Sequence, residues 1–139
     1  MQSIRHTNYS DKIIRTFNYD FADVFLFDRY IVSEVKTGIT FSWDNHAKVI
    51  VEDITKYTES NGEDLIYLSH RIYSYSVQPM DWLKFYRNRF NLKGYGVIGY
   101  NSNSFMNTVI ENLFFTNNSV RFRDLDTANQ WATNKILTG

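Results

Sequence analysis

Apolar positions along this chain alternate between a strand period and a helix period. In Asp23 to Lys36, "DVFLFDRYIVSEVK", β-rich residues form two runs with Asp28-Arg29 between them, which predicts an antiparallel hairpin. Val32 and Val35 do not share a face, so the second strand is either buried on both sides or bulged. Trp43, Ala47, Ile50, Ile54 and Tyr57 then recur every three or four residues, as one stripe of a helix. Ser42 stands where an N-cap belongs, and Lys48, Glu52 and Lys56 fall on a solvated face. "DLIYLSHRIYSYSV" reads as a strand. "PMDWLKFYRNRF" reads as a helix, with Pro79 in its first turn and Met80, Leu83, Tyr86 or Arg87, and Phe90 on its stripe. "GYGVIGY" is a further strand, and "SNSFMNTVIENLFF" a helix with Met106, Val109, Ile110 and Leu113 aligned. "SVRFRDL" gives a short last strand. Asp124 can cap a final helix whose inward positions are Leu125, Ala128, Trp131 and Ala132.

Strands alternating with helices imply right-handed crossovers and parallel pairing. The expected fold is therefore α/β: a single mixed, largely parallel sheet with an N-terminal β-hairpin and about four helices. Residues 1–11 are polar and expected to be loosely held, and residues 12–137 to form one domain.

Composition narrows the function classes. Of 139 residues, 43% are apolar and 17% aromatic, enough for a sizeable core in a short chain. Fifteen basic and 15 acidic residues leave no net charge to steer a nucleic acid or an anionic membrane. With no cysteine, disulfides, thiolate metal sites and cysteine nucleophiles are excluded. No run reaches the ~18 apolar residues of a membrane span. The opening residues lack the apolar stretch of a signal peptide, so a cytoplasmic location is expected.

Gly94-Tyr95-Gly96-Val97-Ile98-Gly99 matches G-x-G-x-x-G, but apolar residues interleave the glycines inside a strand pattern. A dinucleotide fingerprint needs its glycines after the strand, at a helix start. The simpler reading is that small residues let a helix approach the sheet closely. His6, His46 and His70 lack metal-ligand spacing, and His46 is expected at the surface. A catalytic role for His70 would require a nucleophile and an orienting carboxylate; Ser69, Ser74 and Asp81 are near it only in sequence. Lys84, Arg87, Asn88 and Asn91 read as a solvated face too small for DNA. No cofactor, metal or catalytic residue is expected.

Two stretches resemble a known family. "GYGVIGYNSNSFMNTVIENLFF…SVRFRDLDTANQWA" is similar to the second half of SpoIIAA-like STAS domains, with Val120, Phe122, Asp124, Leu125, Asp126, Ala128 and Trp131 on the closing pattern. "HRIYSYSVQP" resembles the strand-to-helix corner N-R-I-N-S-Y-S-V-x-P of small bacterial STAS-like proteins. Arg71, Ile72, Ser74, Tyr75, Ser76, Val77 and Pro79 match it, while His70 and Tyr73 depart. The resemblance implies a non-enzymatic regulatory module of bacterial signalling that binds another protein. It places the interaction at Arg71, Tyr73, Ser74, Tyr75, Ser76, Trp82 and Tyr86. Family members are switched by phosphorylation near this corner, which makes Ser74 and Ser76 the candidate sites; a phosphate there would meet free amides and a helix dipole. The D-S-[ST]-G-L-G segment of the best-known members is missing, and Ser76 as a plain helix cap is the simpler reading. A protein partner is expected, nucleic acid and membrane insertion are not, and a homo-oligomer is left open. The alternative is a carrier or sensor of a small apolar, lipid-like ligand, from the fold's kinship with CRAL-TRIO carriers and the aromatic content.

Overall fold

A computed structural model of the chain describes residues 2–60, 63–73, 76–77, 93–99 and 119–137. They run as two 3-10 turns (Ile4–His6 and Asn8–Lys12), β1 (Arg15–Asn18), β2 (Ala22–Leu26), β3 (Tyr30–Val35), β4 (Thr40–Phe41), a π turn (Trp43–Ala47) and α1 (Lys48–Thr58). There follow β5 (Ile66–Arg71), β6 (Ser76–Val77), β7 (Gly94–Gly99), β8 (Ser119–Phe122) and α2 (Leu125–Leu137). Six strands make one mixed sheet in the order β1-β2-β3-β5-β7-β8, and β4 and β6 pair separately. β1, β2 and β3 are an antiparallel meander; β3, β5, β7 and β8 are parallel, each beside the next. The α/β class and the mixed sheet are as expected. Two of the helices expected from the sequence, over 79–90 and 102–115, lie outside the described residues.

The β2–β3 turn falls at Asp28-Arg29, where Phe27 N–H donates to the Tyr30 carbonyl at 2.8 Å. Arg29 takes a left-handed φ of 63°, a conformation that Gly or Asn adopts more readily. Pairing from Ala22↔Val35 to Leu26↔Ile31 is one-to-one, so β3 has no bulge. All six of its residues are buried, because the sheet is covered on both faces. The expected hairpin is in fact three-stranded: Tyr19 N–H bonds the Ala22 carbonyl at 2.8 Å and brings β1 alongside β2. β1 escaped the pattern because RTFN is half exposed at a sheet edge and carries little alternation.

One apolar layer, with Val24, Leu26, Ile31, Val35, Ala47, Ile50 and Ile54, lies between the sheet and α1. The other, with Phe25, Val32, Ile66, Leu68, Ile98, Phe122, Leu125, Ala128, Ala132 and Ile136, lies under α2. A fully buried Ile or Leu contributes about 1.5–3 kcal/mol, so these stripes hold the helices more firmly than propensity does. Ser42 caps as expected, its hydroxyl accepting from Asn45 N–H at 3.2 Å, but a wider turn intervenes before α1: Ala47 N–H reaches back to the Ser42 carbonyl at 3.0 Å. Two expectations for this region are corrected. Tyr57 does not join the buried stripe; it is 45% exposed, with the Arg15 guanidinium 4.9 Å from its ring centre. His46 is not simply at the surface, because its ring is half-buried against Phe21 and Phe41 at 4.5 and 5.4 Å.

The glycine motif lies within β7. A Cβ on Gly94 would stand 2.9 Å from the Trp131 ring, and one on Gly96 would stand 2.8 Å from Leu68 Cδ2 and 3.0 Å from Phe122. The small residues make room for α2 and its neighbours, as the strand context implied. At the start of α2, Asp124 accepts from Thr127 N–H at 2.7 Å. Leu125, Ala128 and Ala132 are buried as expected, and Trp131 is half-buried. The segment expected to be loosely held carries the two 3-10 turns, and Ile4 is fully buried in the α2-side core.

Candidate functional site at the carboxyl ends of the parallel strands

In open α/β sheets, ligands commonly bind beyond the carboxyl ends of parallel strands. Here those ends belong to β3, β5, β7 and β8. Ser33 pairs with Ser69, and the next residues along, Glu34 and His70, point to the α2 face two positions beyond Val32 and Leu68. Parallel pairing therefore sets a carboxylate and an imidazole side by side at the end of an otherwise apolar row. His70 Nδ1 lies 2.9 Å from Glu34 Oε2, with both side chains buried. A carboxylate only accepts, so Nδ1 carries the proton in this contact.

Glu34 is satisfied twice more. Ser3 Oγ donates to Oε1 at 2.5 Å, and Ile4 N–H donates to Oε2 at 2.8 Å. A buried carboxylate with three donors offsets its lost hydration through charge-assisted hydrogen bonds. On the opposite face of the same strands Tyr67 donates its hydroxyl proton to Ser33 Oγ at 2.7 Å. The polar residues at this end of the sheet thus divide between the two faces. Ser69, Glu34, His70 and Arg71 are all nearly or wholly buried.

The chain leaves the sheet immediately afterwards. Arg71, the last residue of β5, is 4% exposed, whereas Tyr73 is 45% exposed. Of the two expected interaction residues whose burial is described, Arg71 is buried and Tyr73 is set in solvent. Ser76 lies in β6 opposite Thr40, so the corner is tied to the strand that precedes the π turn. Ser74, Tyr75, Trp82 and Tyr86 lie outside the described residues.

Sequence reasoning paired His70 with Ser69, Ser74 and Asp81 as neighbours along the chain, and missed Glu34. The signal for Glu34 was present: a lone acid inside the apolar run YIVSEV is a buried carboxylate in need of a partner. Among the described residues, no group of three or more His, Asp or Glu side chains is placed to hold a metal, and no helix is long and apolar enough to cross a membrane. A concavity lies at the other end of the sheet. It is a groove of about 690 Å³ between the β2–β3 turn, the second 3-10 turn and α2, bordered by Tyr9, Lys12, Arg29, Tyr30, Gln130 and Ile136 among others. Its inner wall holds a bond from the Tyr30 hydroxyl to Asn129 Oδ1 at 2.9 Å. Burial pushes the Tyr30 phenol up to about 12, with the neighbouring Tyr9 and Asp28 adding to the shift.

No protein-family model, no curated protein and no solved structure matches this chain.

Proposed function

We propose that this chain is a non-enzymatic, SpoIIAA-like regulatory module that binds another protein through the corner following β5, in the bacterial cytoplasm. The observation that carries this reading is the abrupt change from a buried strand end to an exposed aromatic: Arg71 is 4% and Tyr73 45% exposed. An exposed aromatic ring two residues beyond a buried strand end is a suitable anchor for a protein interface. Support also comes from the order β7, β8, α2 with its Asp124 cap, which follows the closing pattern of the resemblance. The Glu34–His70 pair is buried and engaged with the chain's own donors, which suits a structural duty better than proton transfer to a substrate. Phosphorylation at Ser74 or Ser76 would add nearly two negative charges beside this anchor and alter docking.

The test compares wild type with Tyr73→Ala as bait in extract of the native host, with captured proteins quantified and thermal melting measured in parallel. One specific protein should fall by about ten-fold or more, as for an interface anchor. An identical captured set from an equally stable variant would refute the corner as the docking face. Mass spectrometry of the chain isolated from its host should find phosphate on Ser74 or Ser76.

The 690 Å³ groove favours a second reading, a small-molecule carrier or sensor, since its size suits a ligand. Its mixed wall would select a molecule with polar as well as apolar parts. Native mass spectrometry of freshly purified protein would show an added mass under this reading and bare protein otherwise.

A further inference from the structure

The residues that cover Glu34 are held as a bound peptide is held. Ser3 gives Glu34 a hydroxyl donor at 2.5 Å and Ile4 a backbone donor at 2.8 Å. The Ile4 side chain is fully buried beneath them. Arg5 reaches Asp23 at 2.9 Å and sits 5.3 Å from the centre of the Phe25 ring. Beyond this clasp, Tyr9 and Ile13 pack against the α2-side core, with open grooves beside Tyr9. A groove of about 350 Å³ separates Gln2, Thr7 and Asn8 from Leu125 and Asp126, and the 690 Å³ groove opens at Lys12. Tyr9 borders both, fastened through its hydroxyl to Asp126. The segment's own backbone bonds, Thr7 to Ile4, Ser10 to Thr7 and Ile13 to Ser10, are local and can persist if it lifts.

We propose that Glu34, His70 and the apolar slot that receives Ile4 form a peptide-binding site, filled in cis by Ser3–Arg5, which detaches to admit an equivalent segment. Its ligand is a peptide that takes one 3-10 turn, as Ile4–His6 does, with a hydroxyl residue, then an aliphatic residue, then a cation. The carboxylate reads the hydroxyl and the backbone N–H, the slot reads the aliphatic side chain, and Asp23 reads the cation. A tethered occupant has an effective concentration in the millimolar range, so a free peptide competes only when the clasp is weakened. The site stands whether or not Tyr73 contacts a partner.

The test uses the full chain and diethyl pyrocarbonate labelling of each histidine, followed by peptide mass spectrometry. In wild type, His70 should react far more slowly than the exposed His6. The Ser3→Ala/Arg5→Ala variant removes two clasp contacts, and labelling of His70 should rise about ten-fold or more while His46 keeps its rate. The synthetic peptide of residues 2–8 at about millimolar concentration should restore protection. The same peptide carrying Ile4→Asp should not. If the double variant unfolds, Ser3→Ala alone should show a smaller rise with the same peptide response. Wild-type His70 reacting as fast as His6, an unchanged rate in the variants, or protection that is absent or indifferent to Ile4→Asp would each overturn the proposal.

Discussion

Glu34 answers to three donors from two distant parts of the chain. Removing the carboxylate by Glu34→Ala leaves those donors facing an apolar cavity, and the protein should lose about 3–5 kcal/mol, read from the urea midpoint. Glu34→Gln keeps the shape and one acceptor oxygen and should cost less. Gly96 is the second sensitive residue. Its substitution by alanine forces a methyl against Leu68 and Phe122, and overpacking of this kind should cost about 1–3 kcal/mol. Both effects concern atoms that the sequence leaves silent: Gly96 was readable as a small residue in a strand, but the neighbours that require it come from β5 and β8.

At the scale of elements, the helices show why some features were readable in advance. The Asp124 cap and the stripe Leu125, Ala128, Ala132 obey rules that act within one or two turns, and the structure reproduces them. The Thr127 N–H bond holds the Asp124 carboxyl below its ordinary range. A depressed folded-state value means that the cap's stabilisation is present above the unfolded value near ~3.9 and fades as pH falls through the folded one. Asp124→Ala should therefore destabilise by about 1 kcal/mol at neutral pH, with the gap to wild type closing as the titration is taken below about pH 4. In α1 the local rules reached their limit at Tyr57. The period placed it with Ile50 and Ile54, but β1 supplies Arg15 and Phe17 just there, and the ring lies against them at the surface. Ile54→Ala, by contrast, should cost about 2–5 kcal/mol in chemical denaturation, since that side chain is fully enclosed.

Across the whole molecule, the hydroxyls of Tyr9 and Tyr19 fasten separate elements by bonding Asp126 and Asp53. Tyr9 is pushed up to about 12, first by its bond to Asp126 and then by burial; Tyr19 is raised by burial and by its bond to Asp53. For a raised tyrosine the unfolded chain ionises first. The stabilisation is complete below the unfolded value near ~10 and is lost as pH rises through the folded one. Melting temperature should accordingly hold up to about pH 10 and fall steeply between about pH 10 and 12. Replacing Tyr9 and Tyr19 together by phenylalanine should make that fall shallower.

The alternation of strand and helix periods, the turn at Asp28-Arg29, the caps at Ser42 and Asp124 and the in-strand position of the glycine motif all follow from contacts a few residues apart. Their energies are expressed in local sequence, so the α/β class could be read there. The partnership of Glu34 with His70 spans 36 residues, and its bonds to Ser3 and Ile4 span 31 and 30. Such contacts exist only after β3 and β5 pair in one register and the opening segment folds across them. The same holds for β1 at its edge and for the two-residue β4–β6 pair, which are too short to carry a period of their own. Folding in three dimensions thus chose which polar residues were buried together and which, like Tyr73, were left facing solvent, because burial depends on neighbours that local spacing does not name.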